Sequence, residues 1–251
     1  MFKQFFQFST MLNISPISPR AGYSLVEVLV AMTIGFVLFA WMSDYMMRAL
    51  ADHTLTLQRN HLNQELLAIF GVMDRDVRRA GFWENAKSSL KKGPVNPFHS
   101  APYRLTTNNK IGEAANSCLT YSYDLNRNGV LDTGTTGTGD ERFGFRLNRG
   151  VVEMRMGGSG TFDCNSGSWS GLNSSTVIMD SLNFSISGSL CLNMSKSGAD
   201  CTASPLVSGD VLIRAFQVVV NLNGHLKFPT TIQHSATLTV QVPNMSVESV
   251  P

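Results

Sequence analysis

Three groups of residues in this chain have the types and spacing to do chemistry. The first is a single carboxylate, Glu27, set inside a long apolar run. The second is DLNRNGVLD, residues 124–132, which fits the pattern D-x-[DN]-x-[DN]-G-x-x-D. In a loop of this kind Asp124, Asn126 and Asn128 offer side-chain oxygens at alternate positions and Gly129 allows the sharp turn. Val130 offers a backbone carbonyl, and Asp132 acts directly or through water, a donor set that suits calcium. The glutamate expected at the twelfth position is missing. Thr135 stands there, and Asp140 or Glu141 could replace it only if the chain folds back. Flanking helices are also absent, so the loop is not an EF-hand, and an Asn-Gly turn in a surface loop is the competing reading. The third group is Cys118, Cys164, Cys191 and Cys201. An even number outside the cytoplasm favours two disulfides; of the three pairings, neighbour-to-neighbour gives Cys118–Cys164 and Cys191–Cys201. No C-x-x-C or adjacent His pair supports zinc. No G-x-S-x-G elbow, P-loop or G-x-G-x-x-G is present, and His53, His61, His99, His225 and His234 stand in no recognisable catalytic setting. The chain is therefore expected not to be an enzyme, with no cofactor beyond a structural calcium.

The element that must hold Glu27 is the apolar run itself. Residues 23–42, YSLVEVLVAMTIGFVLFAWM, contain sixteen apolar side chains among twenty. As a helix they span ~30 Å, the thickness of a bilayer core. Basic residues precede the run and Asp44 follows it, which puts the N-terminus in the cytoplasm and the bulk of the chain outside. A cleaved secretory signal fits poorly, because the apolar run is long and no small-residue cleavage site follows it. A plain anchor explains the length but not Glu27, since a carboxylate in a membrane helix costs ~2.5–3.5 kcal/mol on insertion scales.

No proline occurs between Pro19 and Pro94, so nothing forces a break across that span. Beyond Met42 the apolar residues Leu62, Leu66, Ile69, Phe70, Met73, Val77 and Ala80 recur at steps of three and four, with Arg59, Glu65, Asp74, Arg75, Asp76, Arg78 and Arg79 between them. The spacing predicts one long helix over 23–80, ~87 Å if wholly helical, softened at Gly35 and stopped at Gly81.

The residues RAGYSLVE, 20–27, resemble the class III signal of type IV pilins and type II secretion pseudopilins. The resemblance implies that a prepilin peptidase cuts after Gly22, that Tyr23 becomes the N-methylated new N-terminus, and that Glu27, fifth in the mature chain, serves assembly. Glu27 is one helical turn from the new amine; it could neutralise that amine in its own chain or reach a neighbour's in a stack of subunits. The leader would be 22 residues long, or twelve if Met11 is the start. DRDVRRAGFW, residues 74–83, resembles the end of the first helix in the PilW group of minor pilins, which are related to the pseudopilin GspJ. The family implies an α+β type IV pilin fold, a long N-terminal helix packed on an antiparallel sheet domain. The expected division is a cleaved leader at 1–22, the helix at 23–81 with its transmembrane part at 23–42, and a β-rich head at 82–251. Expected partners are other minor pilins, the major pilin, the prepilin peptidase, the inner-membrane assembly platform and a tip adhesin. Expected localisation is the bacterial inner membrane in a single pass, then the pilus and cell surface. The alternative within the class is a type II secretion minor pseudopilin resembling GspJ.

Beyond residue 102 the chain reads as short strands joined by Gly-, Ser- and Asn-rich connections: 103–107, 118–123, 142–147, 151–156, 176–187, 211–222 with a register change near Arg214, and 231–242. Residues 148–150 form a hairpin turn between the third and fourth. Only 15% of residues are charged, and twenty basic residues face eighteen acidic ones. Lys3 and Arg20, in the leader, account for that whole excess, so the mature chain is neutral. A nucleic-acid or DNA-uptake role, which needs a positive field, would require Lys87, Lys91, Lys92 and Arg104 to cluster on one face, and an adhesin role is likewise a lesser alternative.

Overall fold

A computed structural model describes residues 22–89, 95–134, 139–203 and 205–250. The leader residues 1–21, together with Lys91, Lys92 and Thr135, lie outside the described residues. Helix α1 runs Leu25–Val77 and contributes to two compact units, one up to His53 and one from Thr54 onward. In the first unit the apolar side chains are exposed, Trp41 at 76% for example. The hydroxyls within it bond inside the helix, Thr33 Oγ1 to the Val30 carbonyl and Ser43 Oγ to that of Phe39, each at 2.8 Å. That is what a polar group in hydrocarbon requires. Gly35 does not interrupt the helix.

In the second unit α1 becomes amphipathic. Leu62, Leu66, Ile69, Phe70, Met73, Val77 and the following Ala80 are all buried, and they share one core with the inner faces of two sheets. The first sheet has the order β1-β2-β3-β4-β5, built from β1 (Thr106–Asn108), β2 (Cys118–Ser122), β3 (Arg142–Asn148), β4 (Val151–Arg155) and β5 (Trp169–Gly171). It contributes Leu119, Tyr121, Phe145, Leu147 and Val152. The second sheet has the order β11-β10-β6, from β6 (Val177–Ser185), β10 (Gln217–Leu226) and β11 (Gln233–Gln241), and contributes Met179, Leu182, Phe184, Val218, Val220 and Leu222. Every strand pair is antiparallel. This is the α+β type IV pilin fold.

A third sheet, β12-β9-β7-β8, comprises β7 (Leu190–Asn193), β8 (Ala199–Asp200), β9 (Val211–Ala215) and β12 (Ser246–Ser249). Its existence corrects the expectation of one strand over 211–222. The chain breaks at Phe216, so that β9 pairs with β7 and β12 while β10 pairs with β6 and β11. The first predicted strand also shifts, because Tyr103 and Arg104 donate back to the Ser100 carbonyl and form a turn instead. The β3–β4 hairpin turns at Arg149 and Gly150, both with positive φ (50° and 80°), as a tight primed turn requires. Disulfides join Cys118 to Cys164 and Cys191 to Cys201.

One residue of α1 departs from the simple stripe. Asp76, grouped with the solvent-facing charges by its type, is only 7% exposed. Two phenols explain it: Tyr121 Oη donates to Asp76 Oδ2, and Tyr123 Oη to Oδ1 at 2.9 Å. Burial, then the Asp76 carboxylate, pushes both phenols up, so each stays a donor. The guanidinium of Arg79 lies 5.8 Å from the Tyr123 ring centroid. A buried carboxylate stripped of a donor costs ~1–3 kcal/mol. Tyr121→Phe should therefore lower unfolding stability by that amount, whereas Phe143→Leu, which touches no carboxylate, should cost the packing alone; urea denaturation of the full chain in detergent micelles distinguishes the two.

Candidate functional site

The described part of the apolar segment begins with Gly22 and Tyr23, both exposed, Tyr23 at 84%. A side chain at Gly22 would meet nothing within 4 Å among the described residues. The Ser24 carbonyl accepts from the N–H groups of Glu27 (3.0 Å) and Val28 (3.2 Å), which starts the helix. Glu27 falls in the first turn, where the helix dipole favours a negative charge. From residue 25 to 43 it is the only charged side chain, and the first ion pair along the helix is Asp44 with Arg48 at 3.0 Å.

The end of α1 is built from residues that sequence patterning placed only partly. Gly81 has φ 73° and its N–H donates to the Ser122 carbonyl at 2.8 Å. The His99 ring occupies the space a β-carbon on Gly81 would need, and Asn96 Nδ2 donates to the Gly81 carbonyl at 3.1 Å. Asn244, whose sequence context gave it no role, donates to the Ala80 carbonyl at 3.1 Å and stands near those of Arg78 and Arg79. These are carbonyls that a helix end leaves without partners.

The 124–132 loop is fastened to the same junction. Trp83 Nε1 donates to the Gly129 carbonyl at 2.8 Å, and the Glu84 N–H to Asp124 Oδ2 at 3.1 Å. Gly129 has φ 76°, and Asn85 fills the space its β-carbon would take. Asp132 Oδ2 accepts from the side-chain amides of Asn126 (2.7 Å) and Asn128 (2.9 Å). Glu141 does fold back. Its carboxylate accepts from the N–H groups of Leu125, Asn126 and Asp132. Burial pushes this carboxyl up, the three backbone donors pull against that, and Asp124 adds to the rise. Asp140 is engaged elsewhere, paired with Arg142 at 2.8 Å. Of the basic residues Lys87, Lys91, Lys92 and Arg104, only Lys87 and Arg104 fall among the described residues.

An exposed apolar helix, opened by Gly22, Tyr23 and Glu27 and continuing into an antiparallel sheet domain, defines a type IV pilin-like subunit. Residues 17–43 match the prokaryotic N-terminal methylation motif. Residues 55–242 match the family described as prepilin peptidase-dependent protein B, and the chain belongs to that family. No curated protein and no solved structure matches it.

The His99–Gly81 contact has a consequence in pH. Burial lowers the His99 imidazole to about 4 from its ordinary 6.5. Between those values the unfolded chain binds a proton that the folded chain refuses, so stability falls as pH drops through that window and levels off below it. His99→Asn should flatten the stability–pH slope between about pH 6.5 and 4 by up to one proton, a difference of ~1–3 kcal/mol across the window, read from urea denaturation at stepped pH.

Proposed function

We propose that this chain is a minor pilin of a bacterial type IV pilus, a structural subunit that helps initiate assembly as part of the filament or its tip complex. The observation that carries the reading is an exposed apolar segment in which Glu27, the one charged side chain from residue 25 to 43, stands four residues beyond Tyr23. Prepilin peptidase cuts after Gly22 on the cytoplasmic side, and Tyr23 becomes the methylated N-terminus. The new amine then has Glu27 one turn away. In the free subunit the two neutralise each other within the inner membrane. In the filament Glu27 meets the amine of a neighbour, which sets axial register while the apolar faces pack together in place of lipid. The sheet domain stays on the periplasmic side and reaches the surface with the filament, where the minor pilins, the major pilin and a tip adhesin are its neighbours. The likeness of residues 74–83 to the PilW group supports the pilus over a type II secretion pseudopilus.

Two measurements test this. Glu27→Ala should still lose its leader, read by mass, yet fall at least about tenfold in sheared filaments, the loss of ~1.4 kcal/mol of pairing. Incorporation at the wild-type level would remove the role of Glu27. Deletion of the gene should abolish surface pili and leave type II secretion intact; the reverse would move the chain to the secretion system.

A further inference from the structure

We propose that residues 124–132, closed by Glu141, form a calcium site that ties the end of the long helix to the first sheet. Asp124 is 2% exposed, and its Oδ1 is buried with no hydrogen-bond partner. Its other oxygen accepts from the Gly129 N–H at 2.9 Å and the Glu84 N–H at 3.1 Å, which holds the carboxylate over the loop. An ionised oxygen cut off from water and from donors is among the costlier arrangements a protein keeps, and a bound cation removes the cost.

The rest of the donor set is held by hydrogen bonds within the loop. Asn126 Oδ1 accepts from the Asn128 N–H at 2.9 Å, and Asn128 Oδ1 from the Val130 N–H at 2.7 Å. Each of these oxygens has a second lone pair to give. Glu141 is fully buried, and its two oxygens reach opposite ends of the loop, Oε1 at Leu125 and Oε2 at Asp132. That supplies the closing carboxylate that the twelfth position lacks. Asp124, Asp132 and Glu141 bring three negative charges to the loop, and among the described residues no Lys, Arg or His forms an ion pair with them. Asp140, the neighbouring acid, is neutralised by Arg142.

The choice of metal follows from the donors. Among the described residues no group of three His, Cys, Asp or Glu side chains is placed to hold a metal, so Asp132 would act through water rather than as a third direct carboxylate. The set must be completed by neutral oxygens, the Asn126 and Asn128 amides and the Val130 carbonyl. Six or seven oxygens of mixed charge on a flexible loop are a calcium arrangement; magnesium demands stricter octahedral geometry, and zinc prefers nitrogen and sulfur. Because Trp83 and Glu84 clamp the same loop, the ion would reinforce the junction at which α1 meets the sheet.

The test uses the full chain in detergent micelles, stripped with EGTA. Calcium at millimolar concentration should raise the melting temperature, magnesium at the same concentration should not, and terbium should luminesce on excitation of Trp83 and be displaced by calcium. Asp132→Asn, at the more exposed end of the loop, should fold as the wild type does without calcium and bind calcium about tenfold more weakly. The absence of both a calcium shift and terbium luminescence in folded wild type would overturn the site, as would an unchanged affinity in Asp132→Asn.

Discussion

A carboxylate buried at Asp76 is tolerable only where donors are waiting for it, and the rest of the second unit is arranged so that two are. Tyr121 and Tyr123 stand on alternate positions at the end of β2, and both phenols reach one side chain of α1. An apolar stripe such as Leu62, Leu66, Ile69 and Met73 can slide or rotate on a sheet at modest cost, because dispersion has no direction. A two-point hydrogen bond to a buried charge cannot. The stripe supplies most of the attraction and Asp76 supplies the register.

Once α1 is fixed, the residues that follow it have little freedom. Gly81 turns the chain against His99 and Ser122, Phe82 receives the Asp124 N–H, and Trp83 and Glu84 seize the 124–132 loop. The motif DRDVRRAGFW thus reads as a single mechanical part. Its acid locks the helix, its glycine ends it, and its aromatic residues hold the next loop. The first unit obeys a different constraint. Its apolar side chains are exposed among the described residues, a surface that suits lipid or other helices. A subunit that moves from membrane to filament needs both kinds of construction, one that specifies a unique packing and one that exchanges partners.

The parts legible in the sequence were those governed by short-range periodicity. The apolar run, the stripe from Leu62 to Ala80 and the hairpin turn within 148–150 depend on spacing and turn residues, whereas the signal around Gly22 is legible through its resemblance to the pilin class III signal. The loop at 124–132 is equally visible in its motif, but the motif leaves Asp140 and Glu141 as equal candidates to close it, and only the fold shows Asp140 paired with Arg142 and Glu141 turned back on the loop. What spacing could not reveal was long-range. Asp76 looked like any solvent-facing acid, since its partners lie 45 and 47 residues away. Asn244, which supports the helix end from more than 160 residues away, carried no local signal. The split between β9 and β10 shows in the sequence only as a register change near Arg214; pairing partners are needed to reveal that the chain changes sheets at Phe216.

The central claim is that an enzyme cuts the chain beside the apolar helix, creating the amine that gives Glu27 its purpose. The most direct measurement is the intact mass and N-terminal fragment spectrum of the protein isolated from its own host's membranes. The account predicts a chain that starts at Tyr23 and carries one methyl group on its amine. A mature chain that retains Gly22, or one cut beyond Glu27, would contradict it.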